Sequence, residues 1–173
     1  AQVIWKNNLL TVTNVSGDFY GGKASGWAHF VFPDQEHAQY AFGVNVTNAQ
    51  LSPLVADQTR KPNKLEGLLS GQLLVTNAWT DNLKSWNGHG HALLRDGLLW
   101  ELPIFGVLSG PLDALMPGVG NSRFTEASGT FGILDSVIYS RDLEMRSATM
   151  RLQYRGAVDF DGNINSRVIA EPL

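Results

Sequence analysis

Apolar and polar residues alternate along much of the chain, most regularly between Met150 and Phe160. The apolar positions of this stretch are Met150, Leu152, Tyr154, Val158 and Phe160. Successive side chains of a β-strand point to opposite faces, so the pattern predicts a strand with one apolar and one polar side. Asp161-Gly162 then signals a hairpin, and the alternation resumes at Ile164. The stretch therefore predicts a hairpin that presents an apolar stripe on one face.

The same period of two recurs throughout the chain. Between Ala38 and Val46 one face carries Tyr40, Phe42 and Val44. Asn87-Gly88 and Asp96-Gly97 are sequences typical of turns, and they predict breaks between short strands. In total the pattern predicts roughly ten to twelve short strands, which is typical of an all-β sandwich, a barrel or an open curved sheet.

Two segments change to a helical period. Leu51, Leu54 and Val55 follow the i, i+3, i+4 spacing, and they predict one short helix over Pro53–Gln58. Residues 103–118 are apolar, contain three prolines and do not alternate, so we predict an apolar helical insert there. This insert either closes a core at one end of the sheet or forms a lip at the mouth of a groove.

Composition limits the class of protein. The 173 residues fit a single β-rich domain, 1–173, and the abrupt strand-like ends predict a piece of a longer chain or, as the less favoured alternative, a processed product. The formal charge is −3 with no basic block, which argues against a nucleic-acid partner. Cysteine is absent, so disulfides and thiolate metal sites are excluded. No apolar run approaches the roughly 20 residues of a membrane-spanning helix.

Candidate catalytic chemistry is sparse. His89 and His91 lie on one face of a predicted strand, at a spacing that suits a shared metal, with Asp96 or Glu101 as a possible third ligand. A polar strand face explains the two histidines better than a metal site does, and we predict no metal and no cofactor. The chain has no Gly-x-Ser-x-Gly motif for a nucleophile, so we predict that the protein is not an enzyme. The five tryptophans are dispersed, which argues against a sugar-stacking site.

Several segments resemble the C-terminal region of AsmA-like proteins. There a "G-x-F-x-I" strand, a "G-x-I" strand and an "L-x-M" strand precede an "x-G-x-V-D-F" strand and a polar turn. The matching segments are Phe124–Ile133, Ser136–Ser140, Asp142–Met145 and Tyr154–Gly162, with Tyr20–Gly26, Gly71–Val75, Gly88–Gly90 and Arg95–Trp100 earlier in the chain. One departure is Ser136, which stands where the family usually has glycine.

The resemblance implies a curved, mostly antiparallel sheet that forms an open groove with an apolar inner face. Such proteins belong to the Gram-negative cell envelope, act in outer-membrane biogenesis, and are thought to conduct phospholipid between the membranes. The expected location is the periplasm, with an inner-membrane anchor outside this chain. The expected partners are phospholipid acyl chains, other envelope proteins or the rest of its own chain. The expected groove-lining residues are Tyr40, Phe42, Val44, Phe131, Ile133, Leu143, Met145, Leu152, Tyr154, Val158 and Phe160.

An apolar strand face has a second explanation. Nearly every half-buried antiparallel strand alternates in this way because its inner side packs on a core. A closed β-sandwich that binds a protein partner or stabilises a larger assembly is therefore the alternative to the lipid groove.

Overall fold

A computed structural model describes residues 1–34, 36–60, 62–98 and 124–173, and these form one antiparallel sheet and one helix. The ten strands pair in the order in which they occur in the chain. The all-β prediction is therefore confirmed. The elements are β1 Gln2–Lys6, β2 Leu9–Phe19, β3 Gly22–Val31, β4 Gln39–Gln50, α1 Leu51–Thr59, β5 Glu66–Trp79, β6 Asn82–Leu98, β7 Phe124–Leu134, β8 Val137–Arg146, β9 Met150–Asp159 and β10 Ile164–Pro172.

The sheet is open. Its two edge strands are β1 and β10, and in the described part of the chain they do not pair with each other. Of the architectures that the sequence left possible, the structure has the open sheet and not the closed sandwich or barrel.

Strand register gathers the alternating apolar residues on one side of the sheet, here called the apolar face. Residues that are directly opposite in an antiparallel pair point to the same side. One such row takes a residue from every strand, and all ten are apolar or glycine. The row is Val3, Val12, Ala28, Phe42, Val75, Gly88, Ile133, Ile138, Val158 and Ile164. The opposite side is here called the polar face.

Glycines on the apolar face indicate which way the sheet curves. A Cβ atom at Gly88 would lie 2.2 Å from the carbonyl oxygen of Leu74, and one at Gly90 would lie 2.2 Å from that of Gln72. On the inside of a bend, side chains converge and neighbouring strands come closer. Contacts this short are therefore possible there only at a residue without a side chain. The same contact with neighbouring backbone occurs on this face at Gly22, Gly26, Gly71, Gly129 and Gly156. The apolar face is therefore the concave one.

Glycines on the polar face have different neighbours. A Cβ atom at Gly43 would meet the indole of Trp27, and one at Gly132 would meet the ring of Tyr139. These two glycines make room for aromatic side chains on the convex side, and they do not mark a close approach of backbones.

Helix α1 packs near one end of the sheet. It starts at Leu51, two residues before the predicted start, and Pro53 falls in the first turn, where a missing N–H leaves no hydrogen bond unmade. The apolar side of α1, with Leu54 and Val55, packs against a core cluster. The buried members of the cluster are Leu51, Leu65, Leu94, Phe124, Ala127, Met145, Met150 and Leu152.

Three expectations about the strands need correction. The turns predicted at Asn87-Gly88 and Asp96-Gly97 are wrong, because β6 runs through both without interruption. Asn87 falls where the β5–β6 register shifts, and Asp96 takes a positive φ of 54° within the strand. The strand predicted to reach Phe160 ends at Asp159. The insert predicted at 103–118 lies outside the described residues.

Candidate functional site

The groove-lining residues predicted from the sequence share the apolar face, except for one. Phe160 lies in the β9–β10 turn, where its N–H donates to the carbonyl of Ser136 and its side chain is exposed. The other ten occupy matched positions on β4, β7, β8 and β9, joined through β5 and β6. The rows that contain Phe42 and Val44 carry no charged side chain.

Burial divides these ten residues into two groups. Met145 and Leu152 are each 2% exposed and belong to the core cluster near α1, and Ile133 and Tyr154 are also buried. The remaining six are only half-buried: Tyr40, Phe42, Val44, Phe131, Leu143 and Val158. Both explanations of the alternation therefore apply, because part of the apolar face packs as a core and part of it stays accessible.

The accessible part includes an apolar hollow over β6 to β10. Phe131, Leu143, Tyr154 and Val158 line it, together with Ile138 and other apolar or small residues. Its volume is about 210 Å³. For comparison, a cavity of about 150 Å³ lined by apolar side chains binds benzene. The hollow can thus hold a short piece of an apolar chain, and the open face continues beyond it.

A run of aromatic rings covers the other half of the apolar face. Phe30 stacks on Tyr40 at 5.8 Å, and Tyr40 stacks on Phe42 at 6.3 Å. Phe42 meets Trp86 edge-on at 5.5 Å, and Trp5 continues the run at the β1 edge through Phe32. We call this run the aromatic ladder: Trp5, Phe32, Phe30, Tyr40, Phe42 and Trp86.

Sequence reasoning missed the aromatic ladder because the two tryptophans are far apart in the chain. Trp86 donates from Nε1 to the Tyr40 hydroxyl at 2.8 Å, so the two polar atoms are paired and the rings present apolar surface. Trp5 is 65% exposed. The sequence does indicate which face of its strand each ring occupies, because alternate side chains point to opposite faces. That information brings the rings together only once the strand order is known.

A charged pair spans one end of the groove. Lys84 near the start of β6 donates to Asp161 in the β9–β10 turn at 2.9 Å. Three strand spacings separate these strands, about 14 Å on a flat sheet. The contact therefore indicates that this end of the sheet curls. The hydrogen bond to Asp161 and its negative charge raise the pKa of Lys84.

The two candidate metal-ligating histidines lie on the polar face. His89 is opposite Gly132, and His91 is opposite Thr130. No three metal-ligating side chains cluster anywhere in the described ranges, 1–34, 36–60, 62–98 and 124–173. Glu101, named as a possible third ligand, lies outside those ranges.

The arrangement as a whole offers binding by burial of apolar surface. A concave face with an aromatic ladder on one half and a hollow on the other removes apolar ligand surface from water at about 25 cal/mol per Å². No helix among the described residues has the length and apolar character to cross a membrane. No protein-family model matches the chain, and comparisons with curated proteins and with solved structures find no match.

Proposed function

We propose that the apolar face is a groove for lipid acyl chains, and that the protein binds or conducts phospholipid without catalysing a reaction. The observation that carries this proposal is the partly accessible apolar face of an open ten-stranded sheet, on which the rows that contain Phe42 and Val44 carry no charged side chain. Contiguous exposed apolar surfaces of this kind usually mark a site of interaction with a ligand, a membrane or a protein.

The energetics favour an elongated apolar ligand. Each methylene that leaves water contributes about 0.8 kcal/mol, so several methylenes along the face give useful affinity without polar contacts. The hollow beside Phe131 suits one segment of such a chain, and the aromatic ladder offers flat apolar surface for the next. A groove that is open along its length also leaves a headgroup in water.

The biological setting follows from the AsmA-like resemblance. On that basis we propose a place in the Gram-negative envelope, in the periplasm, where the groove covers acyl chains on their way between the inner and outer membranes. A protein partner on the same face is the second candidate, because exposed Trp5 and Val3 at the β1 edge also suit a protein interface.

Binding of saturated fatty acids of increasing length tests the proposal. The dissociation constant should fall with each added methylene, by up to about fourfold, because 0.8 kcal/mol corresponds to that factor. Fluorescence of Trp86 and Trp5 reports binding near the aromatic ladder. An affinity that does not change with chain length contradicts acyl-chain burial and leaves the protein interface as the better account.

A further inference from the structure

Three arginines form a row on the polar face. Arg155 of β9 and Arg167 of β10 are directly opposite each other, and Arg141 lies in β8 where its register with β9 shifts. All three are exposed. Adjacent strands lie about 4.8 Å apart, so the row spans roughly 10 Å. Each guanidinium can therefore reach a ligand that contacts its neighbours.

Among the described residues, these arginines have no ion pair of the kind that other arginines of the sheet form. Arg151 lies 2.6 Å from Glu144, and Arg95 lies 3.9 Å from Glu126. Within the part of the chain that the structure describes, no carboxylate oxygen lies within 4.0 Å of a guanidinium nitrogen of Arg141, Arg155 or Arg167. Like charges that are directly opposite across two strands destabilise a sheet.

The two acidic residues of β8 already have other partners. Asp142, next to Arg141 in the chain, accepts hydrogen bonds from the backbone N–H and the hydroxyl of Thr130. Glu144 accepts hydrogen bonds from Arg146 and Arg151. Glu144 is thus paired with other arginines, and the one remaining carboxylate, that of Asp142, is outnumbered by the three arginines, so the row keeps a net positive charge.

The irregular stretch of β8 creates space beside the row. Arg141 and Arg155 line a hollow of about 180 Å³, together with Gln153, the two acidic residues, Leu143 and Tyr154. Irregularities of this kind often redirect a side chain next to a functional site. Gln153 and Arg155 alternate with Tyr154 along β9, so their side chains point to the polar face, away from the groove.

We propose that Arg141, Arg155 and Arg167 bind a phosphoryl group on the convex side of the sheet. The planar guanidinium matches phosphate oxygens in bidentate pairs, and a phosphoryl group offers three strong acceptor oxygens to the row. The site is separate from the proposed acyl groove and stands without it. Its phosphoryl group belongs either to a soluble phosphate ester or to a lipid headgroup, since both present the same chemistry.

Titration of the whole chain with inorganic phosphate tests the site. The chain is labelled with ¹⁵N, ionic strength is held constant with sodium chloride, and amide resonances of β8 to β10 should shift with saturation. Arg155→Gln should weaken binding about tenfold or more, the factor expected from loss of a hydrogen bond between charged groups. Arg95→Gln is the matched control, since this polar-face arginine has its own carboxylate partner, and it should bind phosphate as the natural chain does.

A thermal measurement separates binding from a folding defect. Phosphate should raise the melting temperature of the natural chain and have no such effect on Arg155→Gln. Without phosphate, Arg155→Gln should be at least as stable as the natural chain, because it removes a like-charge pair. Equal phosphate shifts in both proteins, or equal effects of phosphate and chloride, overturn the proposal.

Vesicles distinguish the two sources of the phosphoryl group. A headgroup site predicts that phosphatidylcholine vesicles with one-third phosphatidic acid retain the natural chain better than pure phosphatidylcholine vesicles, and that Arg155→Gln abolishes the difference. A soluble ester site predicts the inorganic-phosphate response with no such vesicle preference. If the natural chain responds neither to inorganic phosphate nor to phosphatidic acid in vesicles, the phosphoryl site is overturned. The proposed acyl groove is not affected by that result, because fatty-acid binding reports on the other face.

Discussion

Replacement of Gly88 by alanine tests the curvature that makes the apolar face a groove. The new methyl group would start 2.2 Å from the carbonyl oxygen of Leu74 and 3.0 Å from the Cα of Val75. Both are backbone atoms held by the β5–β6 ladder, so neither can turn aside as a flexible side chain does. The clash is relieved only if β5 and β6 separate or the bend of the sheet opens.

Gly88→Ala should lower the free energy of unfolding because it overpacks the space between β5 and β6. Extra methyl groups forced into close-packed positions cost about 1–3 kcal/mol. For a chain of this size each kcal/mol corresponds to about 2–4 °C, so Gly88→Ala should melt about 2–12 °C lower than the natural chain. Urea unfolding followed by circular dichroism gives the free energy of unfolding directly.

Gly17 supplies the matched control. It lies on the same face in β2, opposite Ala24, but a Cβ atom there has no neighbour within 4 Å. Gly17→Ala should be neutral or stabilise by about 0.4–1 kcal/mol, because alanine restricts the unfolded chain. Equal stability of Gly88→Ala and Gly17→Ala would refute the close approach of strands on the apolar face.

Three further predictions concern individual side chains. Leu152→Ala should lower the free energy of unfolding in urea by about 2–5 kcal/mol, and Val44→Ala by clearly less, because Leu152 is buried in the core and Val44 is half-buried. Equal losses of stability would contradict the division of the apolar face into a core and a groove. Trp86→Phe should cost about 1 kcal/mol, and a double-mutant cycle with Tyr40→Phe should show coupling, unless their 2.8 Å hydrogen bond contributes nothing. The pKa of Asp142 lies below its ordinary value, because burial raises it but hydrogen bonds, chiefly from Thr130 of the neighbouring strand, lower it by more. The ionised carboxylate therefore stabilises the fold above about pH 4, and this contribution disappears as the pH falls through the lowered pKa. Asp142→Asn should accordingly lose less stability than the natural chain between pH 5 and pH 2, as measured by urea unfolding at each pH.

The sequence predicts strand character well wherever alternation is regular. Residues 40–46 and 150–158 have apolar side chains at every second position or nearly so, and both segments lie in strands with those side chains on the apolar face. Helix α1 was predictable for a similar reason, since Leu51, Leu54 and Val55 share one helical face. These features depend on local period, which one sequence contains in full.

Turn chemistry in β6 misled the sequence reasoning. Asn-Gly and Asp-Gly favour turns in isolation, but β6 pairs with β5 between Asn82 and Leu98 and with β7 between Gly88 and Gly97. Those ladders outweigh the local preference. Gly88 allows the backbone of β5 to approach closely and does not form a turn. This role depends on long-range pairing.

The division between core and accessible face also depends on long-range pairing. Leu152 and Val44 occupy equivalent positions in the alternating pattern, and only the strand order and the packing near α1 give them different burial. The aromatic ladder has the same origin, because register brings Phe30 opposite Tyr40. A single sequence gives the faces of each strand but not the neighbours across them.

Photocrosslinking from one face of the sheet tests the central claim most directly. Benzoylphenylalanine replaces Phe131 on the apolar face or, as the matched control, Tyr139 on the polar face, and the chain is irradiated with phosphatidylcholine vesicles. Phe131 lines the apolar hollow, whereas Tyr139 is exposed over Gly132 on the convex side. An acyl groove predicts phospholipid adducts from position 131 and few from position 139. Absence of lipid adducts at position 131, or equal yields at both positions, would contradict it.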